Sequence, residues 1–86
     1  MSHPTETAMR RLHETIVVHQ SARGEPLAFT TRSGQHRVER IVDQWQESGR
    51  WWDGEPRKQF WRVDAGGMFD LSCDEHQRWR LELAWD

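Results

Sequence analysis

Phe60-Trp61-Arg62-Val63-Asp64-Ala65-Gly66-Gly67-Met68-Phe69-Asp70-Leu71-Ser72-Cys73 decides the fold. Apolar and polar residues alternate on both sides of a glycine pair, which is the period of a strand broken by a reversal. A two-residue loop at 66–67 would pair Arg62 with Leu71 and Val63 with Asp70, and so put charge on the apolar face. A three-residue loop, Ala65-Gly66-Gly67, pairs Trp61 with Leu71 and Val63 with Phe69. It also sets Arg62 opposite Asp70 on the solvent face. A one-residue slip turns every side chain over, so the three-residue loop is predicted. A glycine supplies the left-handed residue that such a loop needs.

The next strand on the C-terminal side is Gln77 to Trp85. Trp79, Leu81, Leu83 and Trp85 are expected on one face, and Arg78, Arg80, Glu82 and Ala84 on the other. On the N-terminal side, Glu47 to Arg57 holds Gly49, Gly54 and Pro56 and reads as a loop. Arg37 to Glu47 fits two patterns. Val38, Ile41, Val42 and Trp45 have helical spacing. A strand with a bulge between Ile41 and Val42 would also present them on one inward face. The short link to the preceding strand favours the strand. Further back, Leu27 to Arg32 reads as a strand with Leu27, Phe29 and Thr31 on one face, and Ser33-Gly34 as a hairpin turn. Ala22 to Pro26 is a turn, and Thr15 to His19 is a short β-branched strand. Residues 1–12 read as a flexible tail, leaving 13–86 as a single β domain. Five or six antiparallel strands with local connections make a mainly β fold, a small SH3-like barrel or a bent meander.

The composition agrees with this size of fold. The chain has 86 residues, enough for one domain. Val, Ile, Leu and Phe make up only 15 residues, but six Trp are available for the core. The net charge of −2 excludes a polycationic nucleic-acid binder and an acidic tail protein. Cys73 is the sole cysteine, so no internal disulfide forms. The longest apolar run, Ile16-Val17-Val18, is far too short for a membrane span or a secretory leader. Cytoplasmic localisation is expected.

Little in the chain points to catalysis. Cys73 and His76 have the spacing of half a metal site, but no second matching pair exists, so no metal and no cofactor is expected. No serine lies in an elbow motif, and Gly66-Gly67 leads into a strand, not a helix that would cradle phosphate. No catalytic residue is assigned. Gly49-Arg50-Trp51-Trp52-Asp53 is the most informative local feature. Two readings of it stay open. Trp51 and Trp52 close one end of the barrel, or one of them is an exposed platform with Arg50, Arg57, Lys58 and Arg62 nearby.

Several of these residues carry a resemblance. Trp45, Gly49-Arg50-Trp51-Trp52, Phe60-Trp61-Arg62-Val63, Phe69-Asp70-Leu71, Trp79-Arg80-Leu81 and Trp85-Asp86 resemble a small bacterial domain family of unknown function. Its members are often encoded beside a Y-family DNA polymerase-like protein of a mutagenesis cassette. The resemblance implies a setting of translesion DNA synthesis or DNA-damage response. The expected function is a non-enzymatic interaction module whose partner is that polymerase-like protein or, weakly, single-stranded DNA. The alternative is a structural or regulatory protein-binding module with no nucleic-acid contact.

Overall fold

The computed structural model describes residues 9–48, 54 and 57–85. Among them eight strands follow in order: β1 (Met9–Thr15), β2 (Val17–Gln20), β3 (Pro26–Thr31), β4 (Gly34–Arg37), β5 (Arg40–Ser48), β6 (Arg57–Asp64), β7 (Met68–Asp74) and β8 (Trp79–Trp85). No helix among the described residues is long and apolar enough to cross a membrane. One antiparallel sheet is ordered β1-β8-β7-β6-β5 and a second β2-β3-β4. Two bent runs join them. Ile16 links β1 to β2 and donates its N–H to the Trp79 carbonyl at 3.2 Å. Val38 and Glu39 link β4 to β5 and donate to the carbonyls of Leu27 and Asp64, at 2.9 and 2.8 Å. Each bent run borders one sheet and then the other. The eight strands are therefore six runs of chain around one core, a small barrel-like meander.

The β6–β7 register is the predicted one. Trp61 pairs with Leu71, Arg62 with Asp70, Val63 with Phe69, and Asp64 with Met68, which leaves Ala65-Gly66-Gly67 as the loop. Gly66 has φ 83°, in the left-handed region. The core contains Ile16, Phe29, Trp61, Val63, Ala65, Leu71, Cys73, Trp79 and Leu81, with Val18, Val38, Ile41 and Phe69 packed against it. His36 behaves there as an aromatic residue. Its ring stacks on Phe29 with centroids 5.0 Å apart and lies 5.1 Å from Phe69.

Register irregularities correct several expected facings. On β5, Ile41 pairs with Val63 and Asp43 with Arg62, so Val42 is an extra residue and 42% exposed. The strand and its bulge are as expected, but the bulge turns Trp45 away from the core. Trp45 pairs with Phe60, on the face opposite Trp61 and Val63. On β8, Leu71 pairs with Leu81 but Asp70 with Leu83, which makes Glu82 the extra residue. Trp79 and Leu81 face the core as expected. Beyond Glu82 the alternation reverses, so Ala84 is buried and Leu83 and Trp85 lie on the other face. On β3, His19 pairs with Ala28 and Gln20 with Pro26. Leu27 bulges outward at 51% exposure, while Phe29 is fully buried. A barrel this small must coil sharply, and bulges supply the bend.

The N-terminal segment also differs from expectation. The tail assigned to residues 1–12 gives way to β1 at Met9. Main-chain pairing of Met9, Arg10 and Arg11 with Trp85, Ala84 and Leu83 holds this strand, and such pairing needs no apolar side chains. The single strand expected over Thr15 to His19 is two strands, parted at Ile16, because the chain there changes from one sheet to the other.

Candidate functional site

The β5-β6-β7-β8 surface that points away from the core carries Trp45, Lys58, Phe60, Arg62, Asp70, Ser72, Arg80, Glu82, Leu83 and Trp85. Alternation predicts a solvated face. Instead Asp70 is 2% exposed, Ser72 1% and Glu82 9%. Burying such groups costs free energy unless each finds hydrogen bonds. They are satisfied in two adjacent centres.

The first centre is built on Arg62. Its Nε and Nη2 donate to the two oxygens of Asp70 at 2.8 and 2.9 Å. The guanidinium lies 5.3 Å from the Trp45 ring centroid and 5.0 Å from that of Trp85. Trp45 in turn stacks on Phe60, with centroids 5.4 Å apart and an interplanar angle of 7°. The Asp70 hydrogen bond raises the Arg62 pKa above its ordinary value, against the opposing effect of burial. Guanidinium–carboxylate forks and ring faces are the partners that suit arginine best. Arg62 and Asp70 are expected from the alternation to face solvent; in the middle of this surface Arg62 is instead half-buried and Asp70 buried, with the Trp45 and Trp85 rings beside the guanidinium.

The second centre is built on Glu82. Ser72 Oγ donates to Glu82 Oε2 at 2.7 Å, and His13 Nδ1 stands 3.0 Å from Glu82 Oε1. Lys58 Nζ is 3.7 Å from Oε2, an ion pair but not a hydrogen bond. Irregularities on two neighbouring strands meet here. Glu82 is the bulged residue of β8, and β1 slips register between Arg11 and Glu14, opposite Glu82. His13 takes φ 50°, uncommon outside glycine. Bulges re-aim side chains, and this one brings His13 onto Glu82. A recess of about 260 Å³ opens beside the pair, lined by His13, Glu47, Phe60, Glu82 and Leu83.

Of the residues singled out from the sequence, Arg50, Trp51 and Trp52 lie outside the described residues. Lys58 and Arg62 share the outer face of β6, but each faces a carboxylate there. Arg57 is exposed at the start of β6, on the opposite side of the pleat, with its N–H 3.4 Å from Glu75 Oε2. The three do not form one basic patch. Sequence reasoning missed Trp45, Phe60, Trp85, Asp70, Ser72, Glu82 and His13 as a group. The alternation Lys58, Phe60, Arg62 was a signal for their face, but the bulges at Val42 and Glu82 hid Trp45 and Trp85.

The Cys73-Asp74-Glu75-His76 segment does not converge. Cys73 is buried, and burial followed by the Asp74 charge pushes its thiol pKa up. Asp74 Oδ1 accepts from the N–H groups of His76 and Arg78 at 2.8 and 3.0 Å, while His76 itself is exposed. Among the described residues no group of three His, Cys, Asp or Glu is placed to hold a metal ion. No curated protein and no solved structure matches the chain. Residues 2–86 match the family described as Domain of unknown function (DUF6504), and the chain belongs to that family.

Proposed function

We propose that this domain is a non-enzymatic interaction module that docks a protein partner on the outer face of β5, β6, β7 and β8. One observation carries the reading. This face holds two Trp, a Phe and a fixed Arg beside three buried polar side chains, and the three-stranded sheet packs on the other side. Aromatic rings and arginine are the residues that carry most binding free energy at protein interfaces. Preorganised side chains lower the entropy cost of docking. Lys58 and Arg62 face Glu82 and Asp70, so neither is a free cation for phosphate, which leaves the exposed Arg80, opposite Ser72 at the edge of the aromatic cluster. The aromatic cluster and the two neutralised cations favour a protein over a nucleic acid as the partner at this surface. The polymerase-like neighbour implied by the family resemblance is the first candidate, and it sets the module in DNA-damage tolerance.

A second reading, weak contact with single-stranded DNA, rests on a different place. A groove of about 560 Å³ between β2 and the start of β8 is lined by Arg78 and Arg80 together with Gln20 and Gln77. No ion pair joins either arginine to a described residue. The test is binding of the purified polymerase-like protein to the domain by calorimetry. Trp45→Ala and Trp85→Ala should weaken it at least tenfold while the circular dichroism stays native. His19→Ala and Arg37→Ala, on the three-stranded sheet, should leave it unchanged. Undiminished binding by both Trp variants would exclude this face.

A further inference from the structure

We propose that the recess beside Glu82 seats an arginine side chain of the partner protein. The proposal rests on the docking reading above and names the chemistry of its contact.

The lining supplies the first argument. Among the described residues, His13, Glu47, Phe60, Glu82 and Leu83 line it, with two carboxylates and no Lys or Arg. The recess selects a cation. At about 260 Å³ it lies below the roughly 300–1,000 Å³ of small-molecule pockets and matches a single inserted side chain.

Unused acceptor capacity is the second. A carboxylate accepts about four hydrogen bonds. Glu82 receives one, from Ser72 on Oε2, while His13 Nδ1 stands 3.0 Å from Oε1 and Lys58 Nζ 3.7 Å from Oε2. Glu47 uses Oε2 to accept from Trp45 Nε1 at 3.1 Å. Both carboxylates are held in place with acceptor positions left over. A desolvated carboxylate gains most from a charged donor.

The third argument is the neighbouring centre. There a ring face and a buried carboxylate, Trp45 with Asp70, are occupied by the guanidinium of Arg62. Beside Glu82 the same pair recurs. Phe60, stacked on Trp45, lines the recess, and Glu82 is the carboxylate. The protein fills one such cradle with its own arginine, whereas in the adjoining one Lys58 Nζ comes no nearer to Glu82 than 3.7 Å and donates no hydrogen bond. Guanidinium suits it better than ammonium, because a planar fork both stacks on a ring and reaches two carboxylate oxygens.

The local backbone agrees. His13 takes a positive φ and its Nδ1 stands 3.0 Å from Glu82, and backbone strain of this kind gathers at binding sites.

The test is an NMR titration of the folded domain with Nα-acetyl-arginine methylamide, with the neutral citrulline analogue as the control. Saturable shifts are expected at His13, Phe60 and Leu83 with the arginine compound alone. Glu47→Gln and Phe60→Leu should each weaken binding at least fivefold. Glu82→Gln should abolish it, and the two other variants carry the test if that protein fails to fold. Equal shifts with citrulline, no saturable shift up to the solubility of the arginine compound, or indifference to both Glu47→Gln and Phe60→Leu would overturn the proposal. A partner protein that is lost on Trp45→Ala but unaffected by Glu47→Gln and by added arginine amide would overturn this inference alone. One that ignores Trp45→Ala and Trp85→Ala would overturn the docking reading itself.

Discussion

Arg62 and Asp70 face each other across β6 and β7 and form a two-pronged ion pair, at 2.8 and 2.9 Å, under the rings of Trp45 and Trp85. Asp70 is 2% exposed, whereas the Arg62 side chain keeps 32% of its surface in water. The pair is asymmetric, and its two halves respond differently to substitution.

Arg62→Ala strands a buried carboxylate. Breaking a buried pair from one side costs about 3 kcal/mol or more. The expected result in urea denaturation is a loss of that size. The double variant Arg62→Met with Asp70→Leu should recover much of it, since apolar residues of similar volume replace such pairs with little penalty. A double variant as unstable as Arg62→Ala alone would contradict this account.

Leu27 and Phe29 are two residues apart on β3 and have opposite fates. Leu27→Lys should change stability by no more than about 0.5 kcal/mol, as surface changes do. Phe29→Ala should cost about 3–5 kcal/mol. Thermal melts of the two proteins check the bulge directly. Equal losses would mean that Leu27 is part of the core.

Gly66 has φ 83°, and a Cβ placed there would meet nothing within 4 Å. The cost of Gly66→Ala is therefore conformational, about 1–2 kcal/mol for a left-handed L-residue. Gly66→Asn should cost less, because asparagine tolerates this region. Chemical denaturation of the two variants ranks them.

Cys73 lines the core, and burial followed by the Asp74 charge raises its thiol pKa. Its reaction with a disulfide reagent at pH 8 should be slow in the native protein and fast in urea, since the thiolate is the nucleophile. Rapid native labelling would place Cys73 at the surface.

Asp74 is pulled two ways. Burial acts to raise its pKa, but hydrogen bonds from the N–H groups of Arg78 and His76 prevail and hold it below its ordinary 3.8. A carboxyl lowered on folding stabilises the protein above its unfolded pKa. That contribution is lost as the pH falls through the folded value. Stability should drop between about pH 4 and still lower pH, and Asp74→Asn should flatten that part of the profile. Melting temperatures across the acid range measure it, and an unchanged slope in the variant would rule out Asp74 as a source.

What the sequence determined by itself was local pairing. Trp61 opposite Leu71, Val63 opposite Phe69 and the Ala65-Gly66-Gly67 loop follow from alternation and turn chemistry, because any other register puts charge on the apolar face. The mainly β class and the burial of Trp61, Trp79 and Cys73 follow from the same logic. Tertiary structure alone decided where the alternation breaks. Val42, Leu27 and Glu82 are extra residues because six short runs of chain must bend to close around one core. Each bulge moves the residues beyond it to the other face. This is why Trp45 and Trp85 meet over Arg62, and why Glu82 meets His13 from a strand whose first four residues, 9–12, read as tail. A bulge depends on what the neighbouring strand requires, and that strand is close in space rather than in sequence.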